Sequence, residues 1–280
     1  MDFSGLISVR QKGIWMTMKN WMKDATVPLL ALMLLGILLS TEAAIDKGSI
    51  VGIWLFDEGS GNKAKDSSDN GNHGNLVNKP EWDNDGKFGK ALSFETAKSS
   101  YVLVPLSHSN SITVAAWAKY TALPTANIGL FHAQASEDQG GDPNTKIVGI
   151  WVENSKTLWG RLIGPDKARK NFPKTKSLDA KKWYHITVTA DAKTKKGKQY
   201  VDGKLISEID YTGKLMDFAF AKIGRQGTET WEGSIDEVAI FDQPLTKADI
   251  QKVMQGLEQV LAVSFKGKLT SIWSRLKITD

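Results

Sequence analysis

From Ile45 onward, apolar and polar residues alternate in short segments, separated by turns rich in glycine, asparagine, aspartate and serine. The clearest segment is YHITVTAD (184–191), in which aliphatic and aromatic side chains alternate with His185, Thr187 and Thr189. A period of two is typical of a β-strand that buries one of its faces. The pattern therefore predicts a chain made mostly of short strands.

Turn and cap residues complete this prediction. Asp202-Gly203 stands between two strand-like segments and predicts a two-residue hairpin turn. Thr246, with Asp249 three residues later, is similar to a capping box and predicts the start of a helix. The apolar face of that helix contains Ile250, Val253, Met254 and Leu257, with Gly256 near its end. Many short strands and one short helix in the C-terminal region indicate an all-β sandwich or jelly roll.

The N-terminal region has a different pattern. Two lysines precede the apolar run 27–39, and small residues follow it up to Ala44. This is the three-part pattern of a secretory signal peptide, and the run is shorter than the ~20 residues of a membrane-spanning helix. Residues 1–44 are predicted to be removed after Ala43 or Ala44, with Met18 as a possible start and an uncleaved anchor as the alternative. The mature protein is then secreted, periplasmic or on the cell surface, without a stable membrane span.

Composition narrows the possible chemistry. The absence of cysteine excludes a disulfide framework, a cysteine zinc site and a thiol nucleophile. The net charge is +5, but acidic and basic residues are interspersed, and the basic run KTKKGK resembles a hairpin tip. Nucleic acid is therefore not an expected partner.

Three tryptophans suggest a binding face. In their own segments, Trp117, Trp151 and Trp159 each lie on the face opposite the aliphatic residues. If the aliphatic residues form the core, these rings meet on the outer face of one sheet, together with Arg161 and His185. An aromatic floor with a few polar groups suits the apolar face and the hydroxyls of a sugar. The alternative is that loops cover this face and the tryptophans form a second small core.

The order of several segments resembles a known family. GIWLFDEGSGNKAKDSSDNGNHGNL, GKFGKALSFE, SITVAAWAK, KKWYHITVTAD and GSIDEVAIFDQPLTKADIQKVMQGL follow one another as in LamG-like jelly-roll domains of the concanavalin A-like lectin/glucanase superfamily. The resemblance covers roughly residues 48–257. It implies a jelly roll of two packed antiparallel sheets over residues 45–257, with residues 258–280 as a C-terminal strand or tail.

The resemblance also suggests a metal site. Several relatives hold calcium near the strand that corresponds to GSIDEVAIF (233–241), so Asp236 with Asp57 is a candidate pair of Ca²⁺ ligands. Simple alternation would place Asp236 on the face of Val238 and Ile240. The alternative is that the Asp236 carboxylate accepts backbone N–H groups and needs no ion.

No catalytic residues are expected. An enzymatic branch of the superfamily carries E-x-D-x-x-E on a strand, whereas this chain has Glu208 and Asp210 with Gly213 at the third acidic position. The sequence therefore predicts an exported, non-catalytic module that binds a glycan or an extracellular or cell-surface protein. A glycoside hydrolase and a purely structural cell-surface protein are the alternatives.

Overall fold

The structure, a computed structural model, describes residues 45–122, 124–137, 146–174 and 176–262. The predicted signal peptide (1–44) and the end of the predicted tail (263–280) lie outside these residues, so both predictions stay open. None of the helices in the described ranges is long and apolar enough to cross a membrane.

Sheet 1 is antiparallel and has eight strands. Its order across the sheet is β14 (Lys204–Asp210), β13 (Lys196–Val201), β12 (Tyr184–Asp191), β7 (Ile112–Tyr120), β18 (Gly233–Phe241), β5 (Ala91–Phe94) and β4 (Glu81–Asp83). The eighth strand, β1 (Ile50–Trp54), pairs with the second half of β18, whereas β5 pairs with the first half. The central strand β18 therefore has three pairing partners.

Sheet 2 is also antiparallel and has eight strands. Its order is β11 (Arg169–Asn171), β10 (Leu158–Ile163), β9 (Val148–Val152), β8 (Ile128–Gln134), β15 (Phe220–Ile223), β6 (Tyr101–Pro105), β3 (Gly74–Val77) and β2 (Lys63–Ala64). A small hairpin, β16 (Arg225–Gln226) with β17 (Glu229–Thr230), follows β15 and lies over β8. This hairpin matters for the site because it covers part of the outer face of sheet 2.

The main core lies between the two sheets and confirms the predicted all-β jelly-roll sandwich. Alternate residues of the long strands, such as Ile112 and Val114 on β7, meet Val148 and Ile150 from β9 in one apolar cluster. The predicted hairpin turn is also present, since Asp202 and Gly203 both have positive φ and join β13 to β14. Each long strand thus has one core face and one outer face.

A second apolar cluster forms on the outer face of sheet 1. Helix α1 (Lys247–Val253) begins at Thr246, whose side chain accepts the N–H of Asp249, as predicted. Ile250 and Val253 pack with Ala239 and Phe241 of β18. Of the predicted C-terminal strand or tail (258–280), the structure describes residues 258–262, and these are helical.

A β-bulge on β18 corrects the expected side-chain alternation. The register against β7 shifts by one residue between Asp236 and Ala239, and Glu237 has a φ of 51°. The extra residue moves Asp236 away from the face of Val238, which stays in the main core. Both acids therefore leave the inter-sheet core, although neither the residue types nor their spacing indicated a bulge.

The two acids accept hydrogen bonds from the backbone of two segments that cover the outer face of sheet 1. Asp236 accepts the N–H groups of Lys87 (2.8 Å) and Phe88 (2.9 Å), and also that of Glu237 (2.7 Å). Glu237 accepts the N–H of Leu257, the first residue of the helical segment 257–262. Burial raises the pKa of Asp236 to about 8 and that of Glu237 to about 7.

These raised pKa values predict that folding stability falls with rising pH. The folded chain keeps protons that the unfolded carboxyls release, so the free energy of unfolding should fall from about pH 4 to about pH 8. For Glu237, a change from 4.5 to about 7 corresponds to ~3 kcal/mol at ~1.4 kcal/mol per pH unit. Glu237→Gln keeps an acceptor for Leu257 and should weaken this dependence, as measured by urea unfolding across the pH range.

Glu208→Gln is the matched control, because Glu208 is exposed on β14 and pairs with Lys196 at 3.2 Å. The Glu208→Gln variant keeps both buried acids and should therefore retain the fall in stability that they cause. Parallel curves for the wild type and Glu237→Gln would contradict the assignment to Glu237.

Candidate functional site

The three tryptophans predicted to share one face are divided between the two sheets. Each ring does point away from the main core, but Trp117 lies on β7 of sheet 1, whereas Trp151 and Trp159 lie on β9 and β10 of sheet 2. The expectation of a single three-tryptophan face is therefore wrong. Alternation along a strand fixes the face of a residue but not the sheet that the strand joins.

Trp117 and His185 form a covered pair on sheet 1. They are directly opposite each other on β7 and β12, with ring centroids 5.3 Å apart, and His185 is 0% exposed. Lys87 lies over the Trp117 ring at 4.3 Å, and the edge of Phe88 approaches it as well. Burial lowers the pKa of His185 to about 3, so the imidazole is neutral. His185 therefore does not line an open groove, contrary to the prediction.

The candidate calcium ligands hold backbone N–H groups instead. The Asp236 carboxylate accepts three of them, and Asp57, which is exposed, accepts the N–H of Lys90 at 2.7 Å. Inward-pointing N–H groups repel a cation, and no cluster of three or more His, Asp or Glu side chains suited to a metal occurs in the described part of the chain. The geometry thus gives no support to the calcium prediction, which stays untested.

Sheet 2 brings the other three predicted residues together. Trp159 and Trp151 are directly opposite each other on β10 and β9, with ring centroids 4.3 Å apart. The guanidinium carbon of Arg161 lies 5.3 Å from the centroid of each ring. Trp151, Trp159 and Arg161 are named the tryptophan–arginine patch below, and they form the candidate site.

Polar groups surround the patch at the edge of sheet 2. Asn171 on the edge strand β11 accepts the Nε–H of Arg161 at 2.8 Å. Lys174 lies 4.8 Å from the Trp159 ring and pairs with Glu153 at 2.8 Å. Donors and acceptors thus stand beside an aromatic surface, which is the arrangement that a sugar ring with its hydroxyls requires.

The two tryptophans of the patch differ in exposure. Trp151 is 2% exposed and its ring lies over Gly149, where an added Cβ would come within 2.9 Å of the indole. The Gln226 side chain of the β16–β17 hairpin lies 3.3 Å from the same position. Trp159 is partly exposed. Trp151 therefore serves as packing for the patch, and Trp159 is the ring that a ligand can reach.

A row of residues across sheet 2 places two further buried polar side chains beyond the patch. Arg161, Gly149, His132 and Lys222 follow one another in register on β10, β9, β8 and β15. Burial lowers the pKa of His132 to about 4, and Lys222 and Lys146 lower it further. Sequence reasoning missed His132, Lys222, Asn171 and Lys174. Gly149 was the available signal, because a glycine inside a strand often marks a close approach.

The family comparison agrees with this architecture. Residues 95–251, more than half of the chain, match a family described as the concanavalin A-like lectin/glucanases superfamily. The chain belongs to this superfamily. No curated protein matches the sequence at a significant level.

Solved structures share the fold of this superfamily member at low sequence identity. The Trypanosoma rangeli sialidase bound to the inhibitor DANA has a TM-score of 0.57 and 16% identity, over 75% of this chain and 33% of the sialidase. Domain 4 of the Geobacillus stearothermophilus arabinanase AbnA, in complex with arabinotriose, has a TM-score of 0.57 and 20% identity, over 73% of this chain and 98% of that domain. The receptor-binding domain of a botulinum neurotoxin C/D mosaic has a TM-score of 0.57 and 15% identity, over 75% and 52%. The chain thus spans about a third of the sialidase but nearly all of the arabinanase domain.

Substitution should separate the two tryptophans of the patch. Trp151→Ala removes a buried ring and should cost ~3–5 kcal/mol of unfolding free energy. Trp159→Ala removes a partly exposed ring and should cost about 1–2 kcal/mol. Urea unfolding of the two variants measures both values, and equal losses would contradict the different roles assigned to the rings.

Proposed function

We propose that this protein is an exported, non-catalytic module that binds carbohydrate at the tryptophan–arginine patch. A sugar ring stacks its C–H face on Trp159, and Arg161, Asn171 and Lys174 offer polar partners to its substituents. The observation that carries this proposal is the partly exposed Trp159 ring with charged and amide groups near it.

The position of Trp159 supports a role in binding. The Trp151 ring packs against Trp159 at 64° to its plane, and the Arg161 guanidinium lies 5.3 Å from its centroid, so the Trp159 ring is oriented before a ligand arrives. A preorganised ring loses little conformational entropy on binding. Lys174 is exposed, and its flexible side chain can move aside from the ring to admit a sugar.

The solved relatives supply independent support for a carbohydrate ligand. One is an arabinanase domain in complex with arabinotriose, another is a sialidase in complex with sialic acid, and cell entry of botulinum neurotoxin type C depends on two ganglioside molecules. This chain matches 98% of the length of the arabinanase domain. Carbohydrate binding by this fold motivates the proposal for this chain.

A non-catalytic role is the simplest interpretation of the acidic residues. Glu208 and Asp210 are exposed on β14, and both pair with Lys196, at 3.2 Å and 2.8 Å. Asp236 and Glu237 have raised pKa values, as a general acid requires, but they are buried and hold backbone N–H groups. A substrate has no access to them, which argues against a glycoside hydrolase built on these acids.

The binding proposal predicts a specific effect of Trp159→Ala. A glycan array with the purified protein should identify an oligosaccharide ligand, and calorimetry should then give its affinity. Loss of one stacking contact, taken as ~1 kcal/mol, should weaken binding about fivefold while the fold is retained.

Trp183→Ala provides a matched control for this experiment. Trp183 is also partly exposed beneath a lysine, with Lys119 at 4.8 Å, but Lys119 belongs to sheet 1. Its loss should leave the affinity unchanged. Equal affinities of Trp159→Ala and the wild type would contradict a binding role for the patch, and a purely structural protein would then be favoured.

Export predicts a defined N-terminus of the mature protein. The apolar run and the small residues after it should direct cleavage after Ala43 or Ala44. N-terminal sequencing of the secreted protein should therefore begin at Ala44 or Ile45. A cell-associated chain that begins at Met1 or Met18 would contradict export.

A further inference from the structure

Arg161 has more hydrogen-bonding capacity than the protein uses. Its side chain is buried, with the residue 8% exposed, and only Nε has a bonded partner, the Asn171 side chain at 2.8 Å. The two terminal nitrogens bond none of the described residues, and no described carboxylate lies within 4.0 Å of them. Neither of these terminal nitrogens is fully buried, so both are accessible to solvent. A buried guanidinium thus directs free donors toward the surface.

No described acid forms an ion pair with Arg161. Glu153 pairs with Lys174, and Glu229 acts on the guanidinium only from beyond 4.0 Å. Burial lowers the pKa of Arg161, and Arg169 lowers it further, while Glu229 raises it. Removing a charged guanidinium from water without a direct ion pair is costly, which makes the site receptive to an anion.

We propose that the glycan bound at the patch is an acidic one, whose carboxylate pairs with the free terminal nitrogens of Arg161 while its ring stacks on Trp159. The guanidinium carbon and the Trp159 centroid are 5.3 Å apart, so one sugar residue can contact both. A planar guanidinium matches a carboxylate through two parallel hydrogen bonds, which a lysine cannot provide. This inference rests on the proposed carbohydrate binding and adds the class of sugar.

Matched pairs of oligosaccharides with and without a carboxylate test the inference. Trigalacturonate with galactotriose, and sialyllactose with lactose, are placed on an array with sulfated counterparts, and the affinities of any bound pair are then measured at fixed ionic strength. The wild-type protein should bind the carboxylated member at least ~10-fold more tightly than the neutral one. Arg161→Lys should lose most of this preference, and Arg161→Gln all of it.

Lys170→Gln is the control for net charge. Lys170 is exposed on β11 and adjacent to Asn171, so its side chain is on the other face of the strand. This variant should keep the preference for the acid, and Trp159→Ala should weaken both members of a pair equally. If Arg161→Gln does not fold, the wild-type preference and Arg161→Lys still test the proposal.

The outcomes distinguish the inference from the proposed function. Equal affinity of the wild type for both members of a pair, or a preference that survives in Arg161→Lys, would overturn the assignment of an acidic sugar and leave carbohydrate binding intact. A stronger preference for sulfated than for carboxylated sugars would also overturn it. Binding to none of the oligosaccharides would contradict the proposed function itself.

Discussion

Burial of one face of every long strand in a common core is the constraint on which the rest of this structure depends. Residues such as Val114 on β7 and Ile150 on β9 meet between the sheets, and each buried aliphatic side chain contributes about 1.5–3 kcal/mol. With these faces committed, the remaining side chains of each strand point outward. On the described strands, the side chains left for contact with a ligand therefore lie on two outer faces.

The two outer faces are used differently. On sheet 1, α1 and the segment 257–262 cover one part, and the loop that contains Lys87 and Phe88 covers another. The bulge at Asp236 and Glu237 makes this possible, because it turns two carboxylates toward the covering segments at the same point of a central strand. Around β18, sheet 1 thus gains a second apolar layer, whereas β14 at its edge keeps exposed acids such as Glu208.

Sheet 2 keeps part of its outer face accessible. Gln226 of the β16–β17 hairpin lies close to Gly149 beside the buried Trp151, whereas Trp159, one strand nearer to the edge strand β11, is partly exposed. The buried Trp151 ring supports the accessible Trp159 ring. Arg161 lies near both rings and donates a hydrogen bond to Asn171 on the edge strand. Such a gradient from packed to exposed groups is characteristic of a rigid binding surface.

The sequence by itself determined the local features. The period of two located the strands, Asp202-Gly203 located a hairpin turn, Thr246 located the start of α1, and the order of segments indicated the superfamily. For Trp151, Trp159 and Arg161 it also determined the outward direction correctly, because alternation depends only on neighbouring residues.

Only the tertiary structure decided which of these residues meet. Trp117 and Trp151 show the same pattern along the chain, yet β7 joins sheet 1 and β9 joins sheet 2. Strand pairing and the bulge at Glu237 depend on contacts between distant segments, and a short alternating pattern contains no information about its partners. The division of the tryptophans, the burial of His185 and the unpaired donors of Arg161 are therefore consequences of how the strands assemble.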